Sequence, residues 1–283
     1  MPRHHRHLTR RRVRAAFAPV VACAPAIGVV LDFDGSLAPI VDDPATARAL
    51  PESIEALRRL VGRVRPIAVV SGRPVEFLRR AVPVPGAVLL GQYGLEREGP
   101  GRSTVLDPRA ADALARTDLA AFAAGARSEF PTLRVEEKGG VAVTLHWRED
   151  PAVGEAATEW ARAAAARHGL AAVAGRMAIE LRPDVPVDKG SAVRELVLGA
   201  PGAVRDPGSA LRAVVVAGDD LGDLPAFDAA AALVSEGYLE AAVRIGVRSA
   251  EAPDDLAERV DLVVAGPHGL SQALGVLARA LGR

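Results

Sequence analysis

A short apolar run, Ile27-Gly28-Val29-Val30-Leu31, leads straight into two carboxylates and a glycine, Asp32-Phe33-Asp34-Gly35. A strand with no polar position needs cover on both faces, which is the situation of a central strand in a parallel sheet. Acids at the carboxyl end of such a strand lie where doubly wound sheets bind ligands. Gly35 allows the chain to turn sharply there. Two acids beside a buried run are costly unless a proton or a cation neutralises them, and Mg²⁺ accepts carboxylates, carbonyls and phosphate oxygens. One aspartate could then attack phosphorus while the other gives and takes a proton. Taken alone, the motif also fits a loop with two solvated aspartates.

The same alternation recurs along the chain. Pro51 opens a helix whose Ile54, Leu57, Leu60 and Val61 share a face. Residues 66–70 read as a strand, 74–82 as a helix and 87–90 as a strand. Near Leu106 the pattern changes. Residues 108–130 read as one Ala-rich helix, 133–137 and 141–147 as a hairpin, 152–168 as a helix, and 170–173 with 177–181 as a second hairpin. The parallel pattern resumes after Pro186, with a helix from Lys189, a strand over 213–217, a last strand over 261–264 and a closing helix over 267–281. The expected fold is α/β: a doubly wound parallel-sheet core over 26–105 and 186–283, with an α+β cap inserted over 106–185.

Three further motifs follow the first in order. Val70-Ser71-Gly72-Arg73 ends the second strand, placing the Ser71 hydroxyl within reach of a phosphate oxygen; alone it is an ordinary turn. Asp188-Lys189-Gly190 opens a helix, so Lys189 could neutralise a phosphate and the aspartates together, with the helix dipole adding to it; otherwise it is a surface lysine. Gly218-Asp219-Asp220-Leu221-Gly222-Asp223 returns acids to the same sheet edge, or else caps the following helix. Four such signals in one order make coincidence a poor account.

From about Ile27 to its end, the chain resembles the haloacid dehalogenase superfamily in this motif order. Within it, five segments are similar to trehalose-6-phosphate phosphatases: 32–40 (Asp-Phe-Asp-Gly-Ser-Leu-Ala-Pro-Ile), 91–96 (Gly-Gln-Tyr-Gly-Leu-Glu), and the cap motifs 135–138, 145–148 and 179–183. The resemblance implies a phosphatase that forms an aspartyl-phosphate on Asp32 and uses Asp34 as acid and base. By the same resemblance Ser71 and Lys189 hold the phosphate. Asp32, the Asp34 backbone carbonyl, Asp219 and Asp223 bind Mg²⁺, and Asp220 orients the loop. Arg73, Glu136, Lys138 and Glu180 are the implied substrate contacts, the last three to sugar hydroxyls. Ser36 stands where the family usually has Thr, Tyr93 where it often has His, and Leu224 where it usually has Glu. The implied reaction releases trehalose and phosphate. Another sugar phosphate on the same scaffold, such as sucrose phosphate, is the enzymatic alternative. A catalytically weak protein that binds the sugar phosphate is the alternative from another class.

Composition narrows the partners. Of 283 residues, Lys+Arg and Asp+Glu number 35 each, so no basic field points to nucleic acid, and 4% aromatics leave little for base stacking. The expected partner is a small sugar phosphate, with neither nucleic acid nor membrane, and the chain is expected to be a monomer. Cys23, the single cysteine, excludes an intramolecular disulfide and fits a cytoplasmic location. Residues 3–14 hold six arginines and three histidines, followed by an apolar stretch, in imitation of a secretory signal. Pro19 and Pro25 interrupt that stretch, and Ile27–Leu31 is needed as a strand. Residues 1–25 are therefore expected to be a basic, disordered tail.

Overall fold

The structure, a computed structural model, describes residues 9–175, 177–199, 210–249, 252 and 255–282. The chain divides into two compact units, Met1–Thr104 with Val187–Arg283, and Val105–Pro186.

The first unit contains, in chain order, α1 (Arg10–Val21), β1 (Ile27–Leu31), α2 (Pro51–Leu60), β2 (Ile67–Val70), α3 (Val75–Ala81), β3 (Ala87–Gly91) and β4 (Glu96–Glu98). The second unit interposes β5 (Val105–Leu106), α4 (Pro108–Leu114), α5 (Leu119–Glu129), β6 (Arg134–Lys138), β7 (Ala142–His146), α6 (Gly154–His168), β8 (Leu170–Gly175) and β9 (Ala178–Pro183). The first unit then resumes with α7 (Lys189–Leu198), β10 (Ala213–Gly218), α8 (Leu224–Ser235), β11 (Ala241–Arg248), α9 (Leu256–Arg259), β12 (Leu262–Ala265) and α10 (Gly266–Leu281).

The sheet of the first unit runs β12-β11-β10-β1-β2-β3-β4, parallel except for β4. All five residues of β1 are buried, as its lack of polar positions requires. Its side chains alternate between two cores. Ile27, Val29 and Leu31 join Phe17, Leu57 and Leu274 on one face, while Val30 joins Val193, Phe227 and Leu233 on the other. The order switches direction at β1, which has β2 on one side and β10 on the other. Leu31 pairs with Ala217 of β10 and with Val69 of β2, so all three strands end level with one another. The crevice at such a switch point is where this architecture seats ligands.

The expected disordered tail over 1–25 needs correction from Arg10 onward; residues 1–8 lie outside the described residues. Thr9 caps α1 by accepting the Arg12 N–H, and Val13, Phe17 and Val20 are buried at helical spacing against the core. Four arginines among the first five residues of the helix mask this stripe, because they occupy its exposed face. The expected single helix over 108–130 is two. Thr117 Oγ1 bonds back to the Ala113 carbonyl, and Asp118 starts α5 by accepting the Ala121 N–H at 2.8 Å. The apolar pattern does not announce β11 cleanly, because Arg244 interrupts it; that guanidinium pairs with Asp261.

The second unit contains a four-stranded sheet, β6-β7-β9-β8, antiparallel throughout. Val143, Leu145, Ile179 and Leu181 point to one face and pack with the alanines of α5 and α6. Period-two alternation therefore sends Thr144, His146 and Glu180 to the other face. Among the described residues, no helix is long and apolar enough to cross a membrane.

Phe17→Ala should lower the unfolding free energy by about 3–5 kcal/mol in denaturant titration, the usual loss for a buried phenyl ring. Arg11→Ala, on the exposed face of the same helix, should change it by less than about 0.5 kcal/mol. Equal midpoints for Phe17→Ala and the unaltered chain would mean that α1 adds nothing to the fold.

Candidate active site

Asp32 is the first residue beyond β1, and its N–H still bonds the Ala217 carbonyl at 2.9 Å, so the strand ladder fixes its position. Asp219 leaves the adjacent β10 at the same level and is 2% exposed. Asp223 follows in the turn before α8 and is 1% exposed. Carboxylate oxygens of Asp32, Asp219 and Asp223 lie within 4.8 Å of one another. Two glycines make this crowding possible. Gly35, at φ +77°, and Gly218 each lie where a Cβ would strike a carboxylate, of Asp219 and Asp223 respectively.

Lys189, the first residue of α7, is buried with these acids. Its ammonium donates to Asp32 Oδ1 at 2.6 Å and to Asp223 Oδ1 at 2.7 Å. Asp223 Oδ2 accepts the backbone N–H groups of Asp219 (2.8 Å) and Asp220 (3.0 Å), locking the turn. Ser36, also buried, donates to Asp219 Oδ1 at 3.3 Å.

With all three ionised, the buried carboxylates of Asp32, Asp219 and Asp223 would exceed the one ammonium by two negative charges. Burial pushes the Asp32 carboxyl up to about 8 despite the opposing pull of Lys189, with Asp219 and Asp220 adding to the rise. Burial likewise pushes Asp219 up to about 6 and raises Asp220 and Asp223. Burial alone would lower Lys189, but Asp223 and Asp32 outweigh it and hold its pKa well above the usual lysine range. A cluster of hard oxygen donors with surplus negative charge, closed off from water, fits a hard divalent cation.

Ser71 and Arg73 lie beyond β2. Ser71 is buried, with its N–H on the Leu90 carbonyl at 3.0 Å and its carbonyl accepting the Tyr93 N–H at 2.9 Å. Arg73 grips Asp34 with two parallel bonds, Nε to Oδ2 at 2.9 Å and Nη2 to Oδ1 at 2.8 Å. The Asp34 carboxylate is therefore engaged by a guanidinium, whereas those of Asp32, Asp219 and Asp223 converge on one another. Sequence reading misses both this pair and the Ser36 bond, since no spacing announces a contact between residues 39 or 183 positions apart.

In the second unit, Glu136, Thr144 and Glu180 are in register across β6, β7 and β9. Glu180 Oε2 accepts from Thr144 Oγ1 at 3.1 Å and pairs with the Lys138 ammonium, while Glu136 Oε2 pairs with His146 Nε2 at 2.9 Å. Glu136, Lys138 and Glu180 thus share one polar face, joined by Thr144, which sequence reading does not single out, and by His146, which it names only within the 145–148 motif and gives no role. Their signal is the alternation of β7, where both fall opposite the apolar Val143 and Leu145.

A hard divalent cation should raise Tm in a scanning experiment, because a ligand bound only by the folded chain stabilises it by mass action. Asp219→Asn should remove most of that rise. An undiminished rise in the variant would place the cation elsewhere.

Comparison with known proteins gives a consistent picture. Residues 30–256 match the family model described as Trehalose-phosphatase. The trehalose-phosphate phosphatase of Mycobacterium tuberculosis is 39% identical over 213 residues, 74% of this chain and 52% of that protein. The chain thus spans about half the length of the curated relatives it matches. The C-terminal domain of the C. albicans trehalose-6-phosphate phosphatase superposes with a TM-score of 0.72 at 22% identity, over 96% of this chain and 97% of that one. A haloacid dehalogenase-like hydrolase from Bacteroides thetaiotaomicron superposes at 0.60 with 14% identity, over 88% and 98%. At these identities the superpositions speak for the fold alone, a haloacid dehalogenase-like α/β core with a second α+β unit inserted in the chain.

Proposed function

For this chain, which belongs to the trehalose-phosphatase family, we propose the hydrolysis of trehalose 6-phosphate to trehalose and phosphate through an aspartyl-phosphate on Asp32. The observation that carries the reading is the buried Asp32–Lys189–Asp223–Asp219 cluster at the switch point of the sheet, with a second acid, Asp34, two residues beyond the first. A nucleophile, a cation site and an acid/base are what phosphoryl transfer to a carboxylate requires.

Lys189 engages Asp32 Oδ1, so attack on phosphorus falls to Oδ2. As the new O–P bond forms, the bond from phosphorus to the sugar oxygen breaks, and that oxygen takes a proton from the Asp34 carboxyl. Asp34, now a carboxylate, then removes a proton from water. The water oxygen attacks phosphorus, the bond to Asp32 breaks, and phosphate leaves with Asp32 regenerated. Ser71 and Lys189 hold the phosphoryl oxygens throughout. Mg²⁺, held by Asp32, Asp219, Asp223 and the Asp34 backbone carbonyl, would stabilise negative charge on the phosphoryl group. Glu136, Lys138 and Glu180 are the proposed contacts to sugar hydroxyls. Carboxylates and an ammonium fixed on strands suit a polyol, which needs several donors and acceptors held in place.

Phosphate release from trehalose 6-phosphate, measured with and without Mg²⁺, tests the reading. Asp32→Asn should retain substrate binding but lose turnover, because an amide does not attack phosphorus. Beryllium fluoride should bind as an aspartyl-phosphate mimic to the unaltered chain only. Substantial turnover by Asp32→Asn would remove it as nucleophile.

Glu180→Ala should lower kcat/KM for trehalose 6-phosphate by at least about a hundredfold and leave p-nitrophenyl phosphate, which has no sugar, far less affected. Equal losses on both substrates would assign Glu180 to the fold, and no loss on trehalose 6-phosphate would assign this face to another sugar or to none.

A further inference from the structure

Resting on the phosphatase reading, we propose that Arg73 is a positioning residue, holding the Asp34 carboxyl in the orientation from which it protonates the departing sugar oxygen. The two aspartates of the first motif have different surroundings. Asp32 is enclosed and fixed by Lys189, whereas the Asp34 side chain is 38% exposed and would otherwise turn freely about its bonds. Its geometry is set by the planar Arg73 fork, whose two bonds fix the direction of the carboxylate as well as its distance.

The fork is itself held rigidly. The Arg73 guanidinium lies 4.7 Å from the centroid of the Phe77 ring. Phe77 meets Phe33 edge to face, with centroids 5.7 Å apart and planes at 79°. Phe33 is fully buried and stands in the chain between the two aspartates. The motif's apolar residue thus supports, through Phe77 and Arg73, the motif's second acid. The Arg73 backbone is tied on both sides, its N–H to Ser71 Oγ at 3.2 Å and its carbonyl to the Gln92 N–H at 3.0 Å. The phosphate-binding serine and the acid/base are thereby set by one short segment.

The geometry favours positioning over direct substrate binding. The Nε–Nη2 edge of the guanidinium, the edge suited to a side-on grip on phosphate, is the edge that grips Asp34. A carboxylate has about four lone-pair sites, so the fork, which uses one on each oxygen, leaves others on both oxygens of Asp34.

Protonation matters in proportion to how poor the leaving group is. A sugar alkoxide needs the proton as the bond to phosphorus breaks; p-nitrophenolate leaves without it. In single-turnover measurements, Arg73→Ala should slow trehalose release by about a hundredfold or more, the usual scale of a general acid. It should slow p-nitrophenolate release at least about tenfold less than that. Across aryl phosphates from p-nitrophenyl to p-methoxyphenyl, its leaving-group dependence should be steeper than that of the unaltered chain. Arg73→Lys should not restore the rate, since an ammonium cannot form the fork. The double variant with Asp34→Ala should be no slower than Asp34→Ala alone. Equal slowing of every leaving group, or multiplied losses in the double variant, would overturn the proposal and assign Arg73 to the phosphate or the fold. If the unaltered chain cleaves aryl phosphates but releases no trehalose, the sugar assignment fails while the aryl series still decides the role of Arg73. If it cleaves no phosphate ester, both readings fail.

Discussion

A buried ammonium flanked by carboxylates organises the first unit. Lys189 at the start of α7 meets Asp32 from β1 and Asp223 from the turn after β10, contacts that span 157 and 34 residues of sequence. Charges removed from water are tolerated only when paired and fully hydrogen-bonded, so none of these three groups can be displaced without leaving another uncompensated. The turn after β10 conforms to the same demand, with Asp223 Oδ2 capturing two backbone N–H groups while Oδ1 meets the lysine. Gly35 and Gly218 are dictated by the same crowding, since a side chain at either would occupy the space of a carboxylate. The pairing is incomplete by charge, so the cluster has the donors to hold a cation as well as acting as a structural joint.

The first motif shows how two aspartates two residues apart can differ in chemistry. Asp32 sits among other acids behind the sheet edge, where burial disfavours its charge and only cationic neighbours restore it. Asp34 lies nearer the surface with a guanidinium fork on its carboxylate. One carboxylate is kept dry, and the other remains in partial contact with solvent. Phe33 and Phe77 pack behind the Arg73 guanidinium that grips the Asp34 carboxylate. In the inserted unit, a similar economy comes from strand alternation. One face of its sheet packs on Ala-rich helices, and the other carries Glu136, Thr144 and Glu180 in one cross-strand row.

Five strands of the large sheet, β1, β2, β3, β10 and β12, and the acids beyond β1 and β10 were legible from local pattern alone, whereas β4 and β11 were not. The legible strands and acids are local signals: the unbroken apolar run of β1 leaves no polar face to expose, and Asp32, Asp34 and Asp219 to Asp223 stand at run boundaries visible without any long-range knowledge. The alternation of apolar runs and helical segments also carried the fold class. Tertiary structure decided what depends on a partner distant in sequence. The α1 stripe of Val13, Phe17 and Val20 becomes meaningful only against the core it covers, because the arginines around it make the segment read as a solvated tail. The break between α4 and α5 turned on side-chain bonds from Thr117 and Asp118 that compete with an otherwise helical composition. The different surroundings of Asp32 and Asp34 come from Lys189 and Arg73, contacts 157 and 39 residues away, and so are properties of the folded chain rather than of the motif.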